Sequence, residues 1–227
     1  MGPARAGGTR RGRRAALLSR VRVIAPSGER LASPDLDAVR ATLTGGGLLL
    51  YPTDTLYALG GLVSSVEAAR RVRAGKSRET GRALPAVAAD VDQVRRLCQD
   101  VSEAAWALAR AFWPGPLTLV LKAAPDVPAE VTAGLGTIAV RVPARELTRV
   151  LCAVAGPLVS TSANVSGQPP ATTCAEAVTA VGESAALAIE GGPGETRPST
   201  IVDATGPRPR LVRAGAVDWE AVTRIWS

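Results

Sequence analysis

The sequence predicts an α/β fold: one domain with a single twisted mixed sheet, mostly buried and flanked by helices. Three observations carry this. Short apolar runs of strand length alternate with amphipathic stretches of helix length from about residue 33 onward. No internal repeat and no break in composition divides that stretch, and 46% hydrophobic residues in a 227-residue chain are ample for one large core. The longest apolar runs fall far below the roughly 18 to 20 residues that a spanning helix needs, and no leader-type order of charged, apolar and small residues opens the chain. No membrane association is expected, and a cytoplasmic location is.

The elements follow in order. SPDLDAVRATLTGG offers a cap at Ser33, proline at the first helical position, an acid in the first turn and glycine past the end, which predicts a helix of about three turns. GLLLYP reads as a short buried strand, and the polar loop PTDT follows it. Residues 65–74 form a helix stopped by Gly75, which delivers the chain to Lys76, Ser77 and Arg78. RALPAVAA is a strand. DVDQVRRLCQ and VSEAAWALARAFW are helices, the second ended by Pro114, Gly115 and Pro116. PLTLVLKA and TIAVRVP are strands, and ARELTRVLCAVAG is a helix ended by Gly156. After them come the strand PLVS, the loop TSANVSGQPP, a helix near Glu176, the strand ALAIE, a Gly/Pro loop, the strands STIVDA and RLVR, and a last helix around Trp219.

The sequence pI of about 10.3 raises the question of nucleic acid, so the position of the charge matters. Residues 1–22 hold seven arginines and no acid; without them the 27 basic residues fall to 20, equal to the 20 acidic ones. The basicity therefore belongs to an arm, 1–22, with the composition of a disordered tail, and residues 23–227 form the domain. A start placed too far upstream, a phosphate-backbone contact and an organelle presequence are the other readings of the arm. Only Lys76 and Lys122 are lysines, a bias in which a retained lysine points to a need for that side chain.

Histidine is absent, which removes Ser-His-Asp and Cys-His catalysis and imidazole metal sites. Three cysteines without a Cys-x-x-Cys give no disulfide framework and no zinc site, so no protein-bound metal is expected. Neither common glycine-rich nucleotide loop occurs. Aromatic residues, at 3%, are too few for a base-stacking platform.

Polar strand ends remain: PTDT, KSR, STSAN and PST. If TSAN continues its strand, period two puts Ser160, Ser162 and Asn164 on one face, where they suit ribose, phosphate or amino-acid recognition; alternatively these residues only make the turn before Pro169 and Pro170. Lys76 and Arg78 stand two apart after a helix end. Side by side they suit a phosphate or triphosphate, and otherwise they are two solvated charges.

YPTDTLYALG, KSR, FWPGPLTLVL, AVRVP, PLVSTSANVSG, STIVD and LVRAGAV, taken together and in this order, resemble the YrdC family, the threonylcarbamoyl-AMP synthases. The match runs from about residue 35 to 217. The resemblance implies a YrdC-like fold with a concave ligand cleft and the reaction of L-threonine, bicarbonate and ATP to threonylcarbamoyl-AMP and pyrophosphate, for threonylcarbamoyladenosine in tRNA. It implies that Lys76 and Arg78 are catalytic and hold the nucleotide together with Ser160, Ser162, Asn164, Thr118 and Arg213. It puts Thr53, Thr55, Tyr57, Arg141 and Ser199 at the threonine end, with Mg2+ carried mainly by the phosphates. The partners it leaves open are tRNA or double-stranded RNA and the tRNA threonylcarbamoyl-transferase. Where the family usually has Tyr-Gly-Leu-Gly this chain has Ala58 as the second residue, Arg82 and Ala83 stand where Lys-Pro is common, and Ala144 and Arg145 replace a frequent Asp-His. Those departures leave room for a paralogue that makes another carbamoyl adenylate. A non-enzymatic RNA-binding protein using the arm is the further alternative.

Overall fold

The computed structural model describes residues 21–75, 81–165, 167–194 and 197–226. Most of the arm, and Lys76 and Arg78, lie outside these residues. The fold class is the expected α/β, with its strands shared between two mixed sheets. Strands β1 (Arg22–Ile24), β2 (Leu49–Tyr51), β3 (Ala58–Gly60), β8 (Thr161–Ser162) and β9 (Leu187–Ile189) make the first sheet, in the order β1-β9-β2-β3-β8. Strands β4 (Ala86–Val87), β5 (Leu117–Lys122), β6 (Thr137–Arg141), β7 (Leu158–Val159), β10 (Thr200–Asp203) and β11 (Arg210–Arg213) make the second, in the order β11-β10-β5-β6-β4-β7.

The helices are α1 (Ser33–Thr44), α2 (Val66–Gly75), α3 (Val91–Leu97), α4 (Glu103–Phe112), α5 (Ala129–Thr132), α6 (Glu146–Ala155), α7 (Cys174–Val181) and α8 (Trp219–Trp226). Their ends follow from capping chemistry. Asp90 accepts from the Gln93 N–H at 2.8 Å, Ser102 accepts from Ala105 at 3.2 Å, and Thr173 and Glu176 form a reciprocal capping box. Helix α1 differs from expectation by one step: Ser33 is already helical, and Ala32 occupies the cap position without a side-chain bond.

Period two in the first sheet divides the core. Leu48 and Leu50 face one apolar cluster, which also takes Leu59, Leu117, Leu119 and Leu121. Leu49 and Tyr51 face the other, where Val39 and Leu43 of α1 meet Leu147 and Leu151 of α6. Being covered on both sides, β2 is apolar throughout. In the second sheet the same alternation has a different result. Leu117, Leu119 and Leu121 of β5 enter the core, while Thr118 and Val120 point to the opposite face.

One segment joins the sheets. Val159 of β7 pairs with Ala86 of β4 in the second sheet, and only two residues later Thr161 of β8 pairs with Leu59 of β3 in the first. Ser160 stands at the crossing, its N–H bonded to the Pro85 carbonyl at 2.7 Å. Gly60 permits this close approach, since a Cβ there would lie 1.6 Å from the Val159 carbonyl oxygen.

Candidate active site

The outward face of the second sheet and the crossing segment enclose a cavity of about 300 Å³. Thr118 and Val120 of β5, Ala139 and Arg141 of β6, and Ser199 and Ile201 around the start of β10 form one wall. The 53–58 stretch and residues 160–162 form the other. Thr53, Thr55, Tyr57, Thr118, Arg141, Ser160, Ser162, Ser199 and Arg213, all singled out from the sequence, line it together.

Thr53 builds its own loop. Its hydroxyl accepts the N–H groups of Thr55 and Leu56, each at 3.1 Å, and donates to the Leu56 carbonyl at 2.7 Å. That turn aims Asp54 and Thr55 at Arg141. The Arg141 guanidinium donates to Asp54 Oδ1 at 2.8 Å and to Thr55 Oγ1 at 3.3 Å. This pair is buried, the two side chains being 6% and 12% exposed. Burial pulls the Arg141 pKa down, and Asp54 opposes the shift.

Across the cavity, Arg213 donates to the Ser199 carbonyl at 2.8 and 3.1 Å and to its hydroxyl at 3.0 Å, while Ser199 Oγ lies 2.9 Å from Thr118 Oγ1. Desolvation, and then the charge of Arg141, lower the Arg213 pKa. The two guanidinium groups therefore repel each other across a shared space. Among the described residues no acidic side chain lines that space, and Asp54 stands behind it as the counter-charge of Arg141. A cleft with two cations, seven Ser and Thr side chains beside them and an apolar lining elsewhere is built to take an anion with polar substituents. Among the described residues no group of three or more His, Cys, Asp or Glu side chains could hold a metal ion.

Two sequence expectations are modified. Asn164 does not line the cavity beside Ser160 and Ser162. Strand β8 ends at Ser162 and the chain bends, so the Asn164 amide turns to the Gln168 carbonyl at 2.5 Å and its Oδ1 accepts from Ser162 Oγ at 2.7 Å. Tyr57 does line the cavity, but its hydroxyl is directed away from it. It donates to the Gly192 carbonyl and accepts from the Gly191 N–H, both at 3.0 Å. Asp54 is the residue that sequence reasoning passed over; PTDT was recognisable as a polar strand end, yet the partner of its carboxylate is 87 positions away.

The profile of the family Sua5_yciO_yrdC, described as telomere recombination, matches residues 41–215. The threonylcarbamoyl-AMP synthase of Pyrococcus abyssi is 36% identical over 184 residues, 79% of this chain and 54% of that protein. A putative threonylcarbamoyl-AMP synthase of Mycobacterium tuberculosis is 32% identical over 181 residues, 79% of this chain and 83% of that one. The chain thus spans about half the length of the archaeal relative and most of the length of the mycobacterial one. Among solved structures, P. abyssi Sua5 complexed with L-threonine superposes with a TM-score of 0.84 at 32% identity, covering 89% of this chain and 60% of that one. E. coli YciO superposes with a TM-score of 0.78 at 25% identity, covering 87% of this chain and 96% of that one.

Proposed function

This chain belongs to the Sua5_yciO_yrdC family, and from that premise we propose that it is a nucleotidyltransferase, an L-threonylcarbamoyladenylate synthase working in the cytoplasm. It condenses L-threonine, bicarbonate and ATP to threonylcarbamoyl-AMP and pyrophosphate, and a separate transferase passes the threonylcarbamoyl group to tRNA. The observation that carries this reading is the pair of guanidinium groups, Arg141 and Arg213, in a hydroxyl-lined cleft with no acidic lining residue among the described ones. A solved relative complexed with L-threonine supports it.

The chemistry requires no enzyme nucleophile. The amine of threonine and bicarbonate form a carbamate with loss of water. A carbamate oxygen then attacks the α-phosphorus of ATP, and the bond to the bridging oxygen of pyrophosphate breaks. Two anions have to be aligned and the charge on the leaving pyrophosphate offset. In this assignment Arg141, Thr53, Thr55 and Ser199 orient threonine, with the ring of Tyr57 as a wall. Ser160, Ser162, Thr118 and Arg213 hold the nucleotide, with Asn164 acting through Ser162. Lys76 and Arg78 meet the triphosphate, and Mg2+ arrives with it.

The test is an incubation of the purified protein with ATP, bicarbonate, Mg2+ and each of threonine, serine and glycine, with pyrophosphate and adenylate followed by mass spectrometry. Threonine-dependent adenylate that Lys76→Ala loses is the expected result. Product with another acceptor only would assign the chain to a different carbamoyl-adenylate pathway, a reading that Ala58 on the cleft wall makes specific. No adenylate with any acceptor would overturn the enzymatic reading.

A further inference from the structure

We propose that Arg145 is a positioning residue for the amino-acid end of the cleft, acting through the 190–194 loop and the Tyr57 hydroxyl, with Glu29 as its anchor. The proposal rests on the reading that the 53–57 stretch receives the amino acid.

The contacts run in series. Arg145, at the cap of α6, donates from Nη2 to the Gly191 carbonyl. The N–H of the same Gly191 donates to the Tyr57 hydroxyl at 3.0 Å, and that hydroxyl donates to the Gly192 carbonyl at 3.0 Å. Glu190 adds a carboxylate oxygen that accepts from the Gly191 and Gly192 N–H groups, each at 3.2 Å. Tyr57 is fully buried, and it is one of the residues that line the cleft. The loop also lies directly on the threonine-bearing turn. A Cβ on Gly194 would meet the Thr55 carbonyl oxygen at 2.8 Å, and one on Gly191 would meet the Pro52 side chain at 2.4 Å. Helix α6 holds that turn from the same end, since Thr148 Oγ1 donates to the Pro52 carbonyl at 2.6 Å. The start of α6 thus grips both strips of backbone that shape this end of the cleft.

Glu29 fixes the grip. Its Oε1 lies 3.3 Å from Arg145 Nε, a charge contact in which the N–H is not aimed at the oxygen. Its Oε2 accepts from the Leu147 N–H at 2.6 Å, in the first turn of α6. Glu29 sits in the turn closed by the Ser27–Arg30 bridge, ahead of the family-matched residues 41–215. Without Glu29, Arg145 keeps its carbonyl acceptor but loses the charge that holds its fork in place. The sequence offers Arg145 only as a departure from a frequent histidine. Its role becomes visible once Gly191 is beside it.

The experiment uses the full chain as wild type, Arg145→Met, Glu29→Gln, Tyr57→Phe and the Arg145→Met/Tyr57→Phe double variant. Hydrogen exchange of peptides covering 187–194 reads the relay without any ligand. Steady-state KM values for threonine and for ATP read its consequence. Arg145→Met is expected to speed exchange in 187–194 and to raise the threonine KM about tenfold, with the ATP KM and kcat within about twofold. Glu29→Gln, at a partly exposed carboxylate, moves both readouts the same way by a smaller factor and carries the test if Arg145→Met does not fold. In the double variant the threonine KM rises no further than in the more affected single one, because both changes cut one chain of contacts. Unchanged exchange in both Arg145→Met and Glu29→Gln overturns the relay whatever the activity. Faster exchange with an unchanged threonine KM overturns the positioning role. If the wild type forms no adenylate with threonine, the proposed function fails, and with it the positioning role, while exchange still decides whether the relay exists.

Discussion

Asp54→Ala isolates the most heavily buried charge of the site. The Arg141 guanidinium, 6% exposed, would keep its desolvation cost and lose the carboxylate 2.8 Å away. With charge centres about 4 Å apart and an effective dielectric near 20, the lost attraction is about 4 kcal/mol. That agrees with the roughly 3–5 kcal/mol typical of removing one partner from a buried pair. For a domain of this size, about 2–4 °C of melting temperature accompanies each kcal/mol, so Tm should fall by about 8–16 °C. Urea denaturation of wild type, Asp54→Ala, Asp54→Asn and Asp54→Ala/Arg141→Met measures the free-energy loss, and thermal melts of the same variants measure the fall in Tm. Asp54→Asn should lie between wild type and alanine, because an amide oxygen still accepts from Nη1 but carries no charge. The double variant should be more stable than Asp54→Ala, since the stranded cation leaves with its partner. A loss below about 1 kcal/mol in Asp54→Ala, or a double variant less stable than that single one, would refute the view that Asp54 compensates Arg141.

Arg213→Met should raise the KM for ATP by at least about tenfold and leave Tm within a few degrees, because β11 is exposed along its length and contributes little core; steady-state kinetics with a melting curve check both. Gly60→Ala places a methyl 1.6 Å from the Val159 carbonyl oxygen and should cost about 3 kcal/mol or more, read as lost soluble yield or a large fall in the urea midpoint. Thr173→Ala removes the capping box of α7 and should cost about 1 kcal/mol in the same assay. Burial pushes the Cys98, Cys152 and Cys174 thiols up to about 12. Thiols of the unfolded chain ionise near about 8.5, so this contribution to stability is intact below that pH and is lost as pH rises through 9 to 12. The urea midpoint should therefore fall between pH 8 and pH 10, and native protein at pH 8 should resist a thiol reagent that labels unfolded protein.

Much of this molecule was legible in the sequence because the relevant physics is local. The alternation in PLTLVLKA separates Leu117, Leu119 and Leu121 from Thr118 and Val120, and the structure sends the two sets to core and cleft. Helix ends were readable where a cap or a Pro/Gly stop marks them, as at Asp90 and after Phe112. What escaped depends on distant partners or on very short elements. Strand β3 has three residues, ending in a glycine whose purpose is Val159, about a hundred positions later. The division into two sheets turns on the single residue Ser160, inside what reads as one polar strand end. Asp54 looked like an ordinary loop charge and Arg145 like part of a helix, since Arg141 and Gly191, their respective partners, could not be matched to them from the sequence.

The crossing at Ser160 also decides which dimensions of the cleft can vary. From Val159 to Thr161 the chain advances two residues, about 7 Å in extended backbone. At its base the spacing between the two walls is thus a length of covalent chain, insensitive to temperature, to core substitutions or to the exact packing of helices. At the mouth, by contrast, the spacing depends on how β11 and the 53–57 turn rest on their neighbours. Substitutions that retune the choice of ligand will accumulate at the mouth, while the base keeps a fixed gauge against which every guest is measured.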